Sequence, residues 1–156
     1  MRVIVIGASH AGIGFVDAMR RNGFDGELVL LDALVGQPLE RPPLSKAFLS
    51  ADGGDDWRFS LRKPDWFADN DIELVDGCRV TAVHPDALQV EAASGERMSY
   101  DRLVLAMGAT PCRLPAADGM DGVFELRHPD DAARLRAAAA DATSAIVIGG
   151  GYIGLE

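Results

Sequence analysis

The first 32 residues constrain the fold more than any other stretch. A β-branched run, RVIVI (2–6), enters the glycine-bearing turn GASHAG (7–12). Apolar residues at helical spacing follow to residue 22, Gly23 closes them, and a second apolar run, ELVLL (27–31), ends at Asp32. Short runs of this kind read as strands buried on both faces of a parallel sheet, and the intervening segment as the crossover helix of a βαβ unit.

The turn itself carries chemistry. Its pattern G-x-S-x-x-G is one residue away from the dinucleotide fingerprint. Gly7 permits a tight turn, Gly12 permits close packing of helix on strand, and small Ser9 stands where the middle glycine lets backbone approach a pyrophosphate. Ala11 completes the loop, and the Ser9 hydroxyl is itself able to donate to phosphate. Asp32 lies 20 positions beyond Gly12 (32 minus 12), where an acidic side chain accepts ribose hydroxyls. The loop alone is also satisfied by a plain glycine turn. Strand, glycines, helix, second strand and terminal acid together favour nucleotide binding, with His10 a loop residue near phosphate rather than a catalyst.

The remaining pattern places a short helix at 44–49 after Pro42 and Pro43, then an acidic, glycine-bearing loop at 52–56. A helix at 64–70 and a strand at 72–75 follow, then strands at 79–83, 87–92 and 97–100 and a buried strand at 103–106. Residues 108–122, rich in Pro, Gly and Ala, read as a crossing between domains. An alanine-rich helix at 130–140 precedes a closing strand, 146–148, and a second glycine loop, GGGYIG (149–154). The expected division is 1–112 for a first domain and 113–156 for the crossing and the start of a second, with the boundary near 110–115.

Bulk properties narrow the function classes. The 156 residues, 48% hydrophobic and 25% charged, suffice for one domain with a core but not for two complete α/β domains. A net charge of −9 lacks the basic stripe that nucleic-acid binding requires. Cys78 and Cys112 have no CxxC spacing, which argues against a redox dithiol or a structural metal site and fits a reducing compartment. No stretch approaches the ~20 apolar residues of a membrane span. A soluble, cytoplasmic protein without a bound metal is expected.

The most specific stretch is ERPPLSKAFL (40–49). On its residues alone it is an exposed turn stiffened by two prolines, with a solvated lysine. With LRKPDWFADNDIELVDGCRV (61–80), YDRLVLAMGATPCRLP (100–115), ELRHPDDAARLR (125–136) and IVIGGGYIGLE (146–156), however, the chain resembles the FAD-dependent pyridine nucleotide-disulfide oxidoreductases, specifically the ferredoxin, putidaredoxin and rubredoxin reductase branch. The resemblance implies a Rossmann-like FAD-binding domain with a parallel sheet and a small antiparallel β-meander, and the beginning of a second Rossmann-like domain for NAD(P)H. It implies that Gly7, Ser9, Ala11 and Gly12 line the FAD pyrophosphate, that Asp32 holds the adenosine ribose, and that Arg41 meets phosphate or the adenosine side. Val80 would meet adenine through its backbone, Ala106 and Gly108 would lie against the cofactor, and Arg127 would approach it. Lys46 would stand beside the flavin ring and pair with Glu156, both being the expected catalytic residues. Gly149, Gly151 and Gly154 would serve the NAD(P)H pyrophosphate.

The implied activity is electron transfer from NAD(P)H through FAD to a small iron–sulfur protein, a ferredoxin or rubredoxin. Readings kept beside it are an NADH oxidase, a nitrite-reductase-like flavoprotein and a non-catalytic FAD-binding module. The family's FAD domain is discontinuous, so the resemblance implies an N-terminal part of a longer reductase, inactive as an isolated chain. Three residues depart from the pattern: Ser9 for the middle glycine, Val16 for a small helix residue, and Met107 for a threonine. No cysteine lies near Lys46, which argues against the CoA-disulfide reductase relatives.

Overall fold

The computed structural model describes residues 1–50 and 56–156. It divides into two compact units: Met1–Leu39 with Ser60–Gly108, and Glu40–Phe59 with Ala109–Glu156.

The first unit is built on a four-stranded parallel sheet. Strands β1 (Arg2–Ile6), β2 (Glu27–Leu31), β3 (Ile72–Val75) and β7 (Arg102–Leu105) lie in the order β3-β2-β1-β7. The central pair is an unbroken apolar run because both its faces are covered, and the strand period of two sorts its residues between them. Val3, Val5, Leu28 and Leu30 face helix α1 (His10–Arg21), where Ile13 and Val16 complete the layer with Phe67 of α3 (Asp65–Asp69). Ile4, Ile6, Val29 and Leu31 face the other way, onto Val90, Ala92, Met98 and Tyr100. Those residues belong to or adjoin an antiparallel meander of β4 (Val80–His84), β5 (Gln89–Ala92) and β6 (Arg97–Ser99). Helix, parallel sheet and meander thus form three layers, the α/β architecture the sequence implied. Val16, one of the three departures, is completely buried and fills the helix–sheet layer, burial worth about 2 kcal/mol for a side chain of this size.

Two expectations about this unit are modified. The apolar run at 103–106 is expected to be a buried strand, but β7 sits at the sheet edge, and Leu105 is 59% exposed. An apolar run alone does not distinguish a central strand from an edge strand. Residues 85–87, read as linker and strand, form a 3₁₀ turn, Pro85–Ala87, set by the fixed φ of Pro85.

In the second unit, the helix expected at 44–49 is split. A 3₁₀ turn, Pro42–Ser45, leads to Lys46 at φ −125° and ψ −113°, and α2 (Ala47–Ser50) starts afresh. The prolines impose the tight turn, and Lys46 absorbs the change of direction. Residues 51–55 of the expected acidic loop lie outside the described residues. Helix α4 (Pro129–Ala140) begins with Pro129 at its first position, and its buried Ala132 belongs to the face turned inward. Residues 146–148 are not a strand: among the described residues they have no ladder partner, and Ile146, Val147 and Ile148 are 91%, 65% and 75% exposed. Helix α5 (Tyr152–Leu155) is a single turn. Among the described residues no helix is long and apolar enough to cross a membrane.

Candidate functional site

The first glycine loop joins β1 to α1. Gly7 adopts φ +106°, and a Cβ on it would collide with the carbonyl of Ala106. A Cβ on Gly12 would collide with the Gly7 carbonyl and press on Leu30. Both positions therefore exclude a side chain, for turn geometry at Gly7 and for helix–strand contact at Gly12. The loop is pinned from below by Gly7 N–H donating to the Leu31 carbonyl at 2.8 Å, and Ala106 N–H donates to Ile6 at 2.8 Å. Ser9 is the N-cap of α1, with extended backbone and no side-chain capping bond. Its hydroxyl and the first-turn N–H groups, with exposed His10 and Ala11, form the outward lip of the turn, positive by the helix dipole.

Around this loop the other expected residues of the unit occupy strand ends. Asp32, half-buried just past β2, accepts the Leu34 N–H at 3.3 Å and donates its own N–H to Val75 at 2.9 Å. Val80 opens β4 opposite Ala92, beside a register shift between Val80 and Ala82. Gly108 follows β7 at φ +70°, and Met107 before it is 60% exposed.

The second unit gathers Arg41, Lys46, Arg127 and Glu156 around one cleft of about 320 Å³, lined also by Pro42, Leu44, Ser45 and Leu126. Leu44, 3% exposed, anchors the turn that presents the motif. Lys46 Nζ lies 2.7 Å from Glu156 Oε1, and Ser45 Oγ donates to Oε2 at 2.6 Å. These two donors, Lys46 first, hold the Glu156 carboxyl below the usual range for a glutamate. Arg41 reaches the Arg127 carbonyl at 3.5 Å. Among the described residues, neither the buried Arg127 Nε nor the buried His128 Nδ1 has a hydrogen-bond partner. Asp131 Oδ2 accepts the N–H groups of Arg127 and His128, at 3.0 and 2.8 Å, and so fixes the backbone from which Arg127 projects.

Two of these contributors were missed in the sequence. Ser45 sat inside the quoted motif, and its adjacency to Lys46 in a proline-tightened turn was the available signal. Asp131 was readable as an acid three residues after the helix N-cap, a capping position. Gly149, Gly151 and Gly154 lie in the second loop. Gly149 repeats the φ of +106° found at Gly7, and a Cβ on Gly154 would press on the Gly149 carbonyl as one on Gly12 would on Gly7.

A parallel sheet whose first strand turns through side-chain-free glycines into a helix, with an acid at the end of the second strand, defines a dinucleotide-binding α/β protein. More particularly, the chain belongs to the pyridine nucleotide-disulphide oxidoreductase family, whose model matches residues 1–156. It is 38% identical to putidaredoxin reductase of Pseudomonas putida over 158 residues, which covers 99% of this chain and 37% of that protein. A ferredoxin reductase structure from Rhodopseudomonas palustris superposes with a TM-score of 0.91 at 35% identity, over 99% of this chain and 38% of that one. The covalent putidaredoxin reductase–putidaredoxin complex gives a TM-score of 0.80 at 35% identity, over 87% of this chain and 33% of that one. The chain thus spans little more than a third of the length of these relatives.

Proposed function

We propose that this chain supplies the FAD-holding part of an NAD(P)H-dependent flavoprotein reductase whose electrons pass to a small iron–sulfur protein of the ferredoxin or rubredoxin type. The observation that carries the reading is the side-chain-free corner at Gly7 and Gly12, where a Cβ would strike the backbone carbonyls of Ala106 and Gly7 and force apart the tight strand-to-helix turn that a pyrophosphate approaches. A further feature of the same unit fits a dinucleotide, the unused capping hydroxyl of Ser9; in the second unit an acceptor-rich ligand would satisfy the buried Arg127 Nε, which has no hydrogen-bond partner among the described residues. That the relatives are reductases of putidaredoxin and of ferredoxin supports the choice of electron acceptor.

In this reading Gly7, Ser9, Ala11 and Gly12 take the pyrophosphate, Asp32 the ribose hydroxyls, and the Val80 backbone the adenine. Ala106 and Gly108 offer backbone without bulk, and Arg41 and Arg127 neutralise phosphate charge. FAD supplies the ability to accept a hydride and release single electrons, which no side chain here has. Lys46 places an ammonium where negative charge develops, and its value rises as water is excluded. Glu156 orients that ammonium. Gly149, Gly151 and Gly154 serve the NAD(P)H pyrophosphate. The free thiols Cys78 and Cys112 fit a reducing, cytoplasmic setting; burial, with Glu96 nearby, pushes the Cys78 thiol up.

Acid precipitation of a reductase carrying this chain should release a flavin that chromatographs as FAD. A flavin that stays with the pellet, or one that runs as FMN, defeats the assignment.

A further inference from the structure

Two consecutive residues hold Glu156, one on each carboxylate oxygen. Charge explains the contact from Lys46 but does not demand the one from Ser45. We propose that Ser45 is a positioning residue that holds the Glu156 carboxylate in place and ionised independently of Lys46, so that the lysine is able to leave the pair while the glutamate stays. The inference deepens the reading of the cleft as a cofactor site and rests on it for its catalytic consequence.

The two donors differ in what supports them. Ser45 ends a turn in which Leu44 N–H donates to Arg41 at 3.0 Å and Lys46 N–H to Pro43 at 2.9 Å, with Leu44 buried beneath. Two prolines fix the φ angles at the start of that turn. The hydroxyl therefore stands one rotatable bond from a stiff backbone. The lysine ammonium stands at the end of four rotatable bonds on a side chain 52% exposed, and holding it still costs rotamer entropy. The Ser45 contact, at 2.6 Å, has the length of an O–H···O⁻ bond to an ionised acceptor. A donor to the charged form favours that form, which agrees with the depressed Glu156 carboxyl, where Ser45 is the second cause after Lys46. If Lys46 alone held the carboxylate, moving the ammonium toward another negative group would leave Glu156 free to swing into water. With Ser45 in place the carboxylate keeps one charge-assisted bond and remains a fixed station to which the ammonium returns.

The test is a titration of a reductase carrying this chain with ¹³C at glutamate Cδ, the Glu156 signal being assigned by its loss in Glu156→Gln. Arg41 and Arg127 line the same cleft and are present in every variant compared. Ser45→Ala should raise the Glu156 midpoint, and Ser45→Thr, which keeps the hydroxyl, should restore it. In a Lys46→Met background, adding Ser45→Ala should raise the midpoint again. If the alanine variant fails to fold, Ser45→Cys keeps the size and weakens the donor, and the same upward shift is expected. A Ser45→Ala or Ser45→Cys curve superimposing on the parent overturns the proposal, as does a Lys46→Met midpoint equal to that of the double variant.

In a reductase carrying the chain, Ser45→Ala should move the acid limb of flavin reduction by NAD(P)H to higher pH. The two readings fail separately. A midpoint shift in a protein that releases no FAD sinks the cofactor assignment and leaves the grip on Glu156 standing, whereas bound FAD with no midpoint shift sinks the role of Ser45 alone.

Discussion

At the scale of single residues, charges set the responses to pH and to substitution. Lys46 and Glu156 lie 2.7 Å apart, so their effects on function should be coupled. In a reductase carrying this chain, Lys46→Ala should slow flavin reduction by NAD(P)H on the order of ten-fold, as expected for loss of one charge aimed at a developing anion. The double change with Glu156→Ala should add a smaller loss, since breaking one side of a pair strands the other. Stopped-flow rates that are strictly additive would show two independent residues. Asp17 answers to a different chemistry. It is 8% exposed on α1, accepting Arg21 Nε at 2.9 Å and Arg62 Nη2 at 3.0 Å, and Arg62 also lies over the Trp66 ring. The hydrogen bond from Arg21, ahead of the others, holds its carboxyl below the ordinary 3.8. A carboxyl with a depressed folded value contributes stability that is fully present above 3.8 and lost as the pH falls from there through the lower folded value. Asp17→Asn should cost about 1–3 kcal/mol at neutral pH and flatten the acid limb of the denaturation profile. An unchanged acid limb would mean that the aspartate titrates alike folded and unfolded.

Elements in this protein are joined by devices that local pattern reveals unevenly. Arg20, near the end of α1, donates to four carbonyls: Asn70 and Asp71 after α3, and Phe24 and Gly26 before β2, at 2.6–2.9 Å. Its planar fork serves several acceptors at once, which an ammonium does not reproduce. Arg20→Lys should therefore destabilise the first unit by roughly 2–4 kcal/mol in a denaturant titration, and a loss below half a kcal/mol would show the clamp to be ornamental. Gly12→Ala pushes a methyl into the Gly7 carbonyl and should cost on the order of 3 kcal/mol, with loss of flavin retention. The strands β1, β2 and β3 were legible to the residue because short β-branched runs bounded by glycine or acid admit few other readings. The cradle was legible because the contact that excludes a side chain at Gly12 comes from Gly7, five positions away, although the Ala106 carbonyl that excludes one at Gly7 is distant in sequence. Legibility ended where the answer depended on distant neighbours. The exposure of Leu105 follows from the place of β7 in the sheet order. The break at Lys46 follows from a turn that the prolines tighten to 3₁₀ pitch. The grip on Glu156 joins residues 45 and 156, a separation no local pattern encodes. The strand expected at 146–148 had the right residues, but a strand is a relation between two segments.

The whole molecule combines a four-stranded parallel sheet and a three-stranded meander with a second glycine loop that, among the described residues, has no strand before it. For the 156-residue chain by itself, NADH with added FAD should not reduce ferricyanide above the protein-free rate. Residues 146–148 stand in solvent, and the single turn of α5 is too short to be a stable helix in isolation. Enzyme-like turnover that needs only this chain would refute that expectation. The second loop nevertheless has the same left-handed glycine as the first, Gly149 at φ +106° beside Gly7 at φ +106°. Its bend is thus specified within six residues and needs no ladder. Closing so short a loop takes about 10–100 ns, whereas strand pairing across most of a chain waits for far slower encounters. On a ribosome, this corner would already be shaped before any distant pairing forms.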